Sequence, residues 1–170
     1  HDDRRRILAC DAASEVDWRA PRNAGLWALD TVNPNSWTTG KRQSLSRSAA
    51  DIILLQETKQ REVRTAQAKR QAERLGWRAH FGPALVTAAH GTSGGIAVVS
   101  RKGLGSAPHD IINEAYRHRI GGAWVGAVVK GGIHVFSVYL KDGQDMSETN
   151  AAILTQLAAA IASVRGPWVV

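Results

Sequence analysis

The sequence predicts a mixed α/β domain, α+β in the way it sets hairpin strands apart from helices, built as a layered sandwich. Three observations carry this. Asp51-Ile52-Ile53-Leu54-Leu55 is a short apolar run, the pattern of a strand buried on both faces. Residues 122–130 and 133–140 are two strand patterns joined at Gly131-Gly132, which suits a tight hairpin turn. Residues 148–164 carry Ile153, Leu154, Leu157, Ile161 and Val164 as one apolar stripe at helical spacing. Hairpins mixed with two helices argue against a regular βαβ array.

The elements follow in order. Residues 1–25 are polar, broken by Pro21 and Gly25, and read as a linker; the domain is expected over 26–170. Residues 26–32 are a strand candidate ended by the turn-forming Asn33-Pro34-Asn35-Ser36. A helical stretch is expected near 41–49, then the buried strand, which leads into Gln56-Glu57-Thr58-Lys59. Glu62 to Leu75 has helical composition, with Gly76 where a C-terminal cap belongs. Trp77 to Phe81 alternates like a strand, and Gly94 to Ser100 is another, introduced by Gly91-Thr92-Ser93. Residues 102–120 read as a long loop. Gly166 and Pro167 stop the last helix, and Trp168-Val169-Val170 begins a further strand.

Composition narrows the function classes. The 170 residues hold 44 % hydrophobic and 22 % charged side chains, a globular balance. The single cysteine, Cys10, excludes a disulfide framework and a cysteine-based zinc cage. No apolar run approaches the roughly 18 residues of a membrane span, so no membrane role is expected. The sequence begins at His1 rather than Met and ends on a strand pattern, so the expectation is a piece of a longer chain. The net charge is +7 and is unevenly spread: −1 over residues 1–40, +6 over 41–80 and +2 over 81–170. A concentrated positive field favours a polyanion such as nucleic acid. A solvated helix face is the plainer account, because Arg61, Arg64, Lys69, Arg70 and Arg74 fall in one helical stretch.

One apparent motif is a decoy. His90 and Gly91-Thr92-Ser93-Gly94-Gly95 resemble pieces of a serine hydrolase. A nucleophile elbow needs a helix after the serine, whereas Ile96-Ala97-Val98-Val99 forms β structure. No histidine has metal-site spacing; His80, His90, His109, His118 and His134 read as surface or strand packing.

The remaining features fall in one order: Val32-Asn33-Pro34-Asn35-Ser36-Trp37, then Ala50-Asp51-Ile52-Ile53-Leu54-Leu55-Gln56-Glu57-Thr58-Lys59, then Ser93-Gly94-Gly95 leading to Ser100-Arg101, then Val138-Tyr139, a helix, and Trp168-Val169-Val170. Over residues 26–170 this resembles the endonuclease/exonuclease/phosphatase superfamily, in particular the N-terminal part of a non-LTR retrotransposon endonuclease domain. The resemblance implies part of a four-layer αββα sandwich, truncated at its C-terminal end, and phosphodiester hydrolysis with Mg²⁺, or Mn²⁺ as the alternative ion. It implies DNA as the partner and an intracellular setting, the nucleus included; no protein partner is inferred.

By that resemblance Glu57 and Asn33 are the metal-site residues, with Glu57 holding the ion. Asn33, Glu57 and Tyr139 are the catalytic candidates, and Asn35 and Ser93 lie on the substrate side. The chemistry is consistent with this. Mg²⁺ is typically held by one or two carboxylates plus waters and phosphate oxygens, and a glutamate at the end of a buried strand has a fixed direction. Plain alternatives stand beside each: Glu57 charging the first turn of a helix, Asn33 and Asn35 as ordinary turn residues, Tyr139 as strand packing. Pro34 and Lys141-Asp142 depart from the family pattern, and no general base can be named. The chain alone is therefore expected to be catalytically incomplete, with an apolar sheet face left uncovered. A non-catalytic nucleic-acid-binding remnant and a phosphatase branch of the same superfamily are the alternatives.

Overall fold

The computed structural model describes residues 25–38, 42, 45–143 and 146–170. The linker expected over 1–25 lies, apart from Gly25, outside the described residues, as do parts of the 41–49 stretch, where Arg42 and residues 45–47 are helical. In chain order the elements are β1 (Leu29–Val32), β2 (Ile52–Leu55), α1 (Glu62–Arg74), β3 (Trp77–Gly82), β4 (Leu85–Val86), β5 (Thr92–Ser93), β6 (Ile96–Arg101), β7 (Gly105–Pro108), β8 (Ile120–Ala127), β9 (Gly131–Val138), α2 (Glu148–Ser163) and β10 (Trp168–Val169).

Two four-stranded sheets result, ordered β1-β2-β6-β3 and β10-β9-β8-β7, with β4 and β5 as a separate ribbon. Each sheet has one parallel pair, β1 with β2 and β10 with β9, and is otherwise antiparallel. The period-2 pleat explains the layering. In β2, Ile53 and Leu55 turn outward to a core with Ala68 and Ala72 of α1. Ile52 and Leu54 turn inward to meet Ala123, Val125 and Val135 of the second sheet. On that sheet's other face Ile120 and Phe136 pack on Ile153, Leu157 and Ala160 of α2. The order is therefore helix, sheet, sheet, helix. Burying the four side chains of β2 contributes about 6–12 kcal/mol before the entropy of ordering the chain is charged against it.

α1 meets its sheet with small residues, Thr65, Ala68 and Ala72, which lets helix and sheet approach closely. Its arginines at 64, 70 and 74, and Lys69, are exposed. The basic stretch is thus a solvated outer face in this fold.

Three expectations are corrected. The stretch 102–120 is not one loop: Gly105–Pro108 pairs with Gly126–Ala123 as an edge strand, and Glu114–Tyr116 forms a 3₁₀ turn. Gly-Ser-Ala-Pro has no hydrophobic alternation, so only the backbone ladder marks it as a strand. The hairpin turns over residues 128–130, before the two glycines. Lys130 is drawn to Asp51 Oδ2 at 2.6 Å and to the Leu26 carbonyl at 2.5 Å, leaving Val128 and Val129 exposed at the tip. Gly132 and Gly126 lie instead beneath the Trp124 indole, where a Cβ would come within 2.4 and 2.2 Å of it. Lastly, among the described residues the face between the sheets is buried by eight strands, rather than left uncovered. Exposed apolar groups are scattered, at edges and tips such as Leu26, Val32 and Trp168, on the outer face of α1 at Val63 and on β8 at Trp124.

Two predictions arise from these contacts. Lys130→Met removes the partner of a buried carboxylate and is expected to cost about 1–3 kcal/mol, measured by urea unfolding; Asp51 keeps the Ala28 N–H at 3.1 Å, which limits the loss. His80 bonds Ser106 Oγ at 2.8 Å. Burial, then the charges of Lys69 and Arg78, push its imidazole down from 6.5 to about 4. Between those values the unfolded chain binds the extra proton, so stability rises with pH across that window and falls on acidification. The loss from pH 7 to 4 is expected to be about 1–2 kcal/mol, discounted because the ring is partly exposed. His80→Gln should flatten that segment of the unfolding-midpoint profile.

Candidate active site

The sequence-predicted residues converge just past the C-terminal ends of β1, β2 and β9. Asn33 follows β1, and its Nδ2 donates to Glu57 Oε2 at 3.0 Å. Its Oδ1 accepts the Asn35 N–H at 3.0 Å. One side chain thus makes the turn and orients the carboxylate. Asn35 Oδ1 accepts from Lys59 Nζ. Two backbone bonds fasten this loop to the one after β2: Gln56 N to Val32 O at 3.0 Å and Trp37 N to Thr58 O at 3.0 Å.

Glu57, Lys59 and Asn35 have φ of 51°, 53° and 48°. Left-handed backbone at non-glycine residues costs about 1–3 kcal/mol each and persists where the surroundings enforce it. Here the enforcing partners are Gly94 and Gly95, with φ of 72° and 90°. Thr58 N donates to Gly95 O at 2.9 Å, Lys59 N to Gly94 O at 3.1 Å, and Gly95 N to His118 O at 2.9 Å. The small-residue motif before β6 therefore joins the Glu57 loop to the start of β8.

Tyr139 follows β9 and lines the same groove as the Glu57 carboxylate, close enough that each shifts the protonation of the other. Burial alone would raise the Glu57 carboxyl, but hydrogen bonds from Asn33 and Tyr139 and the charges of Lys59 and Arg119 outweigh it, holding the acid below its ordinary value of 4.5. Tyr139 is pushed up by burial and by Glu57, and Arg119 offsets part of this. Glu57, Asn33 and Tyr139 line an open groove of about 480 Å³ together with Lys141, Asp142 and Asn150. Ser93 stands apart, half-buried, with its Oγ accepting from Arg119 Nη2 at 3.1 Å.

Among the described residues no group of three or more His, Cys, Asp or Glu side chains forms a metal cage. One carboxylate with an adjacent amide, open to a groove, fits Mg²⁺ that keeps most of its waters and takes its other ligands from phosphate. It does not fit a dedicated all-protein site. The serine-hydrolase arrangement is absent: His90 sits at a turn with its carbonyl accepting from Arg61, while Ser93 is taken by Arg119.

Three contributors were not singled out by the sequence. Arg119 is buried beside Tyr139 at 4.8 Å from guanidinium carbon to ring centroid. Asn150 clamps the segment after Tyr139, accepting from Lys141 N at 2.7 Å and donating to Lys141 O at 3.1 Å. A polar residue one turn ahead of Ile153 on the apolar stripe of a helix was the signal for it. Asp142 brings a second carboxylate into the groove, with no signal beyond its place after Tyr139.

Residues 42–170 match the family model described as the Endonuclease/Exonuclease/phosphatase family. The fold is similar to the catalytic domain of APE2 from Xenopus laevis, with a TM-score of 0.51 and 16% identity over 80% of this chain and 55% of that one. AP endonuclease LMAP from Leishmania major aligns with a TM-score of 0.44 and 17% identity over 79% of this chain and 44% of that one. The chain spans about half the length of these structures. No curated protein matches the sequence.

Proposed function

From the endonuclease/exonuclease/phosphatase family, to which this chain belongs, we propose that it carries the metal-holding part of a Mg²⁺-dependent DNA endonuclease, Mn²⁺ serving in place of Mg²⁺. The observation that carries the reading is the Glu57 carboxylate, kept ionised by Asn33 and Tyr139 at the edge of an open groove. Glu57 would hold the ion with Asn33 beside it. When bound, the ion draws charge from the phosphate oxygens and the leaving oxygen. Asn33 fixes the rotamer of the carboxylate, and Tyr139 presents its hydroxyl to the groove. Lys59 and Lys141 bring positive charge to the rim, where a polyanion would lie. Asn35 lies with Lys59 on the substrate side, and Ser93 supports that side through Arg119.

Nearly half of the APE2 domain has no counterpart here. This supports the reading that residues 1–170 lack the general base and are slow or inactive alone. A DNA substrate goes with an intracellular setting, the nucleus included, and with the retrotransposon-endonuclease branch.

The test is nicking of supercoiled DNA with Mg²⁺ by the longer parent protein and by residues 1–170. Nicking by the parent that disappears on Glu57→Gln is the expected result. Equal nicking by residues 1–170 would overturn the incompleteness. Phosphate release from small monoesters, with DNA untouched, would move the assignment to the phosphatase branch.

A further inference from the structure

We propose that Arg119 is the positioning residue of this site: its guanidinium, anchored on Ser93, holds the Tyr139 ring so that the phenol stays directed at Glu57. The inference rests on the metal-site reading above and adds the part of the chain that orients it.

Arg119 is the last residue before β8 and is 8% exposed. It grips Tyr139 twice. Its carbonyl accepts the Tyr139 N–H at 2.8 Å, and its guanidinium lies 4.8 Å over the face of the ring. Nη2 donates to Ser93 Oγ at 3.1 Å, which fixes the plane of the fork. A guanidinium on an aromatic face contributes about 0.5–2 kcal/mol, more as water is excluded. The contact restrains the one side-chain torsion that would otherwise swing the hydroxyl away from Glu57.

The surroundings argue for orientation rather than packing. Nη1 is buried without a hydrogen-bond partner among the described residues. An unpaired buried donor costs about 1–3 kcal/mol, and an apolar side chain of similar volume would avoid it. The charge stands where its field reaches Glu57 and Tyr139 together. The backbone repeats the logic. Gly95 accepts from Thr58, next to Glu57, and donates to His118, next to Arg119. The carboxylate and the arginine thus hang from one glycine, which sets the distance between metal ligand and phenol.

Tyr116 and Tyr139 are the two tyrosines of the chain, so Tyr116→Phe leaves a single ring to observe. With ring-¹³C tyrosine in the full chain, the Tyr139 signals report its setting. Added Mn²⁺ broadens them steeply with proximity. Strong broadening is expected with Arg119 in place. In Arg119→Met the Tyr139 signals should move and the broadening fall several-fold, with core methyl signals unchanged. Arg119→Lys, which keeps the charge but not the planar fork, should not restore them. Ser93→Ala should shift them in the same direction by less. Unmoved signals with undiminished broadening in Arg119→Met would overturn the proposal, as would full rescue by lysine. Should Arg119→Met fail to fold, Ser93→Ala decides, and unchanged signals there overturn it. No broadening in the Tyr116→Phe protein itself would sink the metal reading instead, leaving the signal shifts to judge Arg119.

Discussion

Glu57→Gln is expected to weaken Mn²⁺ binding at least about tenfold, the equivalent of about 1.4 kcal/mol or more, with little change in stability. Glutamine keeps the length of the side chain and an oxygen for Asn33 Nδ2, but removes the charge that a hard divalent cation requires. The left-handed backbone at position 57 is shared by both residues, so strain does not enter the comparison. Isothermal titration with Mn²⁺, beside a urea-unfolding curve, separates binding from folding. The pH profile has a definite sign. The Glu57 carboxyl is held below its ordinary value, so it is ionised through the neutral range and binding should stay level from pH 7 to about 5.5. It should decline only as pH falls through the depressed value. Unaltered affinity in Glu57→Gln would place the ion elsewhere.

Gly95→Ala is expected to be strongly destabilising, at about 3 kcal/mol or more. The residue sits at φ 90°, and an added Cβ would lie 2.7 Å from Thr58 Oγ1, 2.9 Å from Lys59 N and 3.2 Å from Ala84 Cβ. Backbone strain of about 1–2 kcal/mol combines with overpacking of about 1–3 kcal/mol. Two of the three atoms struck belong to the residues after Glu57, so metal binding should weaken beyond what the loss of stability explains. Thermal unfolding and Mn²⁺ titration on the same sample would show both. A variant with near-native melting and affinity would mean that the loop relaxes freely and that Gly95 does not set the carboxylate.

The parts legible in the sequence were those with a period or a fixed order. The β2 run, the α2 stripe and the sequence of Asn33, Glu57 and Tyr139 each carry a local signal, and the fold brings Asn33 and Tyr139 to the Glu57 carboxylate. Arg119 carried none, because its role depends on contacts with Ser93 and Tyr139, 26 residues before it and far along the second sheet after it. β7 was missed because an edge strand of small residues is specified by its neighbour's backbone alone. The hairpin turn was misplaced because Lys130 is drawn to Asp51, 79 residues away, an attraction that no local rule contains.

The placement of β2 has a consequence for motion. It is hydrogen-bonded to β1 on one side and β6 on the other, and it is covered on both faces. Its amides can exchange with solvent only when the whole molecule opens, so they should be the slowest in the protein, with protection close to the global unfolding free energy. Lys59, four residues beyond the strand, should exchange almost as slowly because its N–H is held by Gly94. The side of the groove that carries the carboxylate is therefore stationary on the timescale of substrate exchange. Any adjustment to an incoming phosphate falls to Asp142 and Gly143, beyond the residues that Arg119 and Asn150 hold.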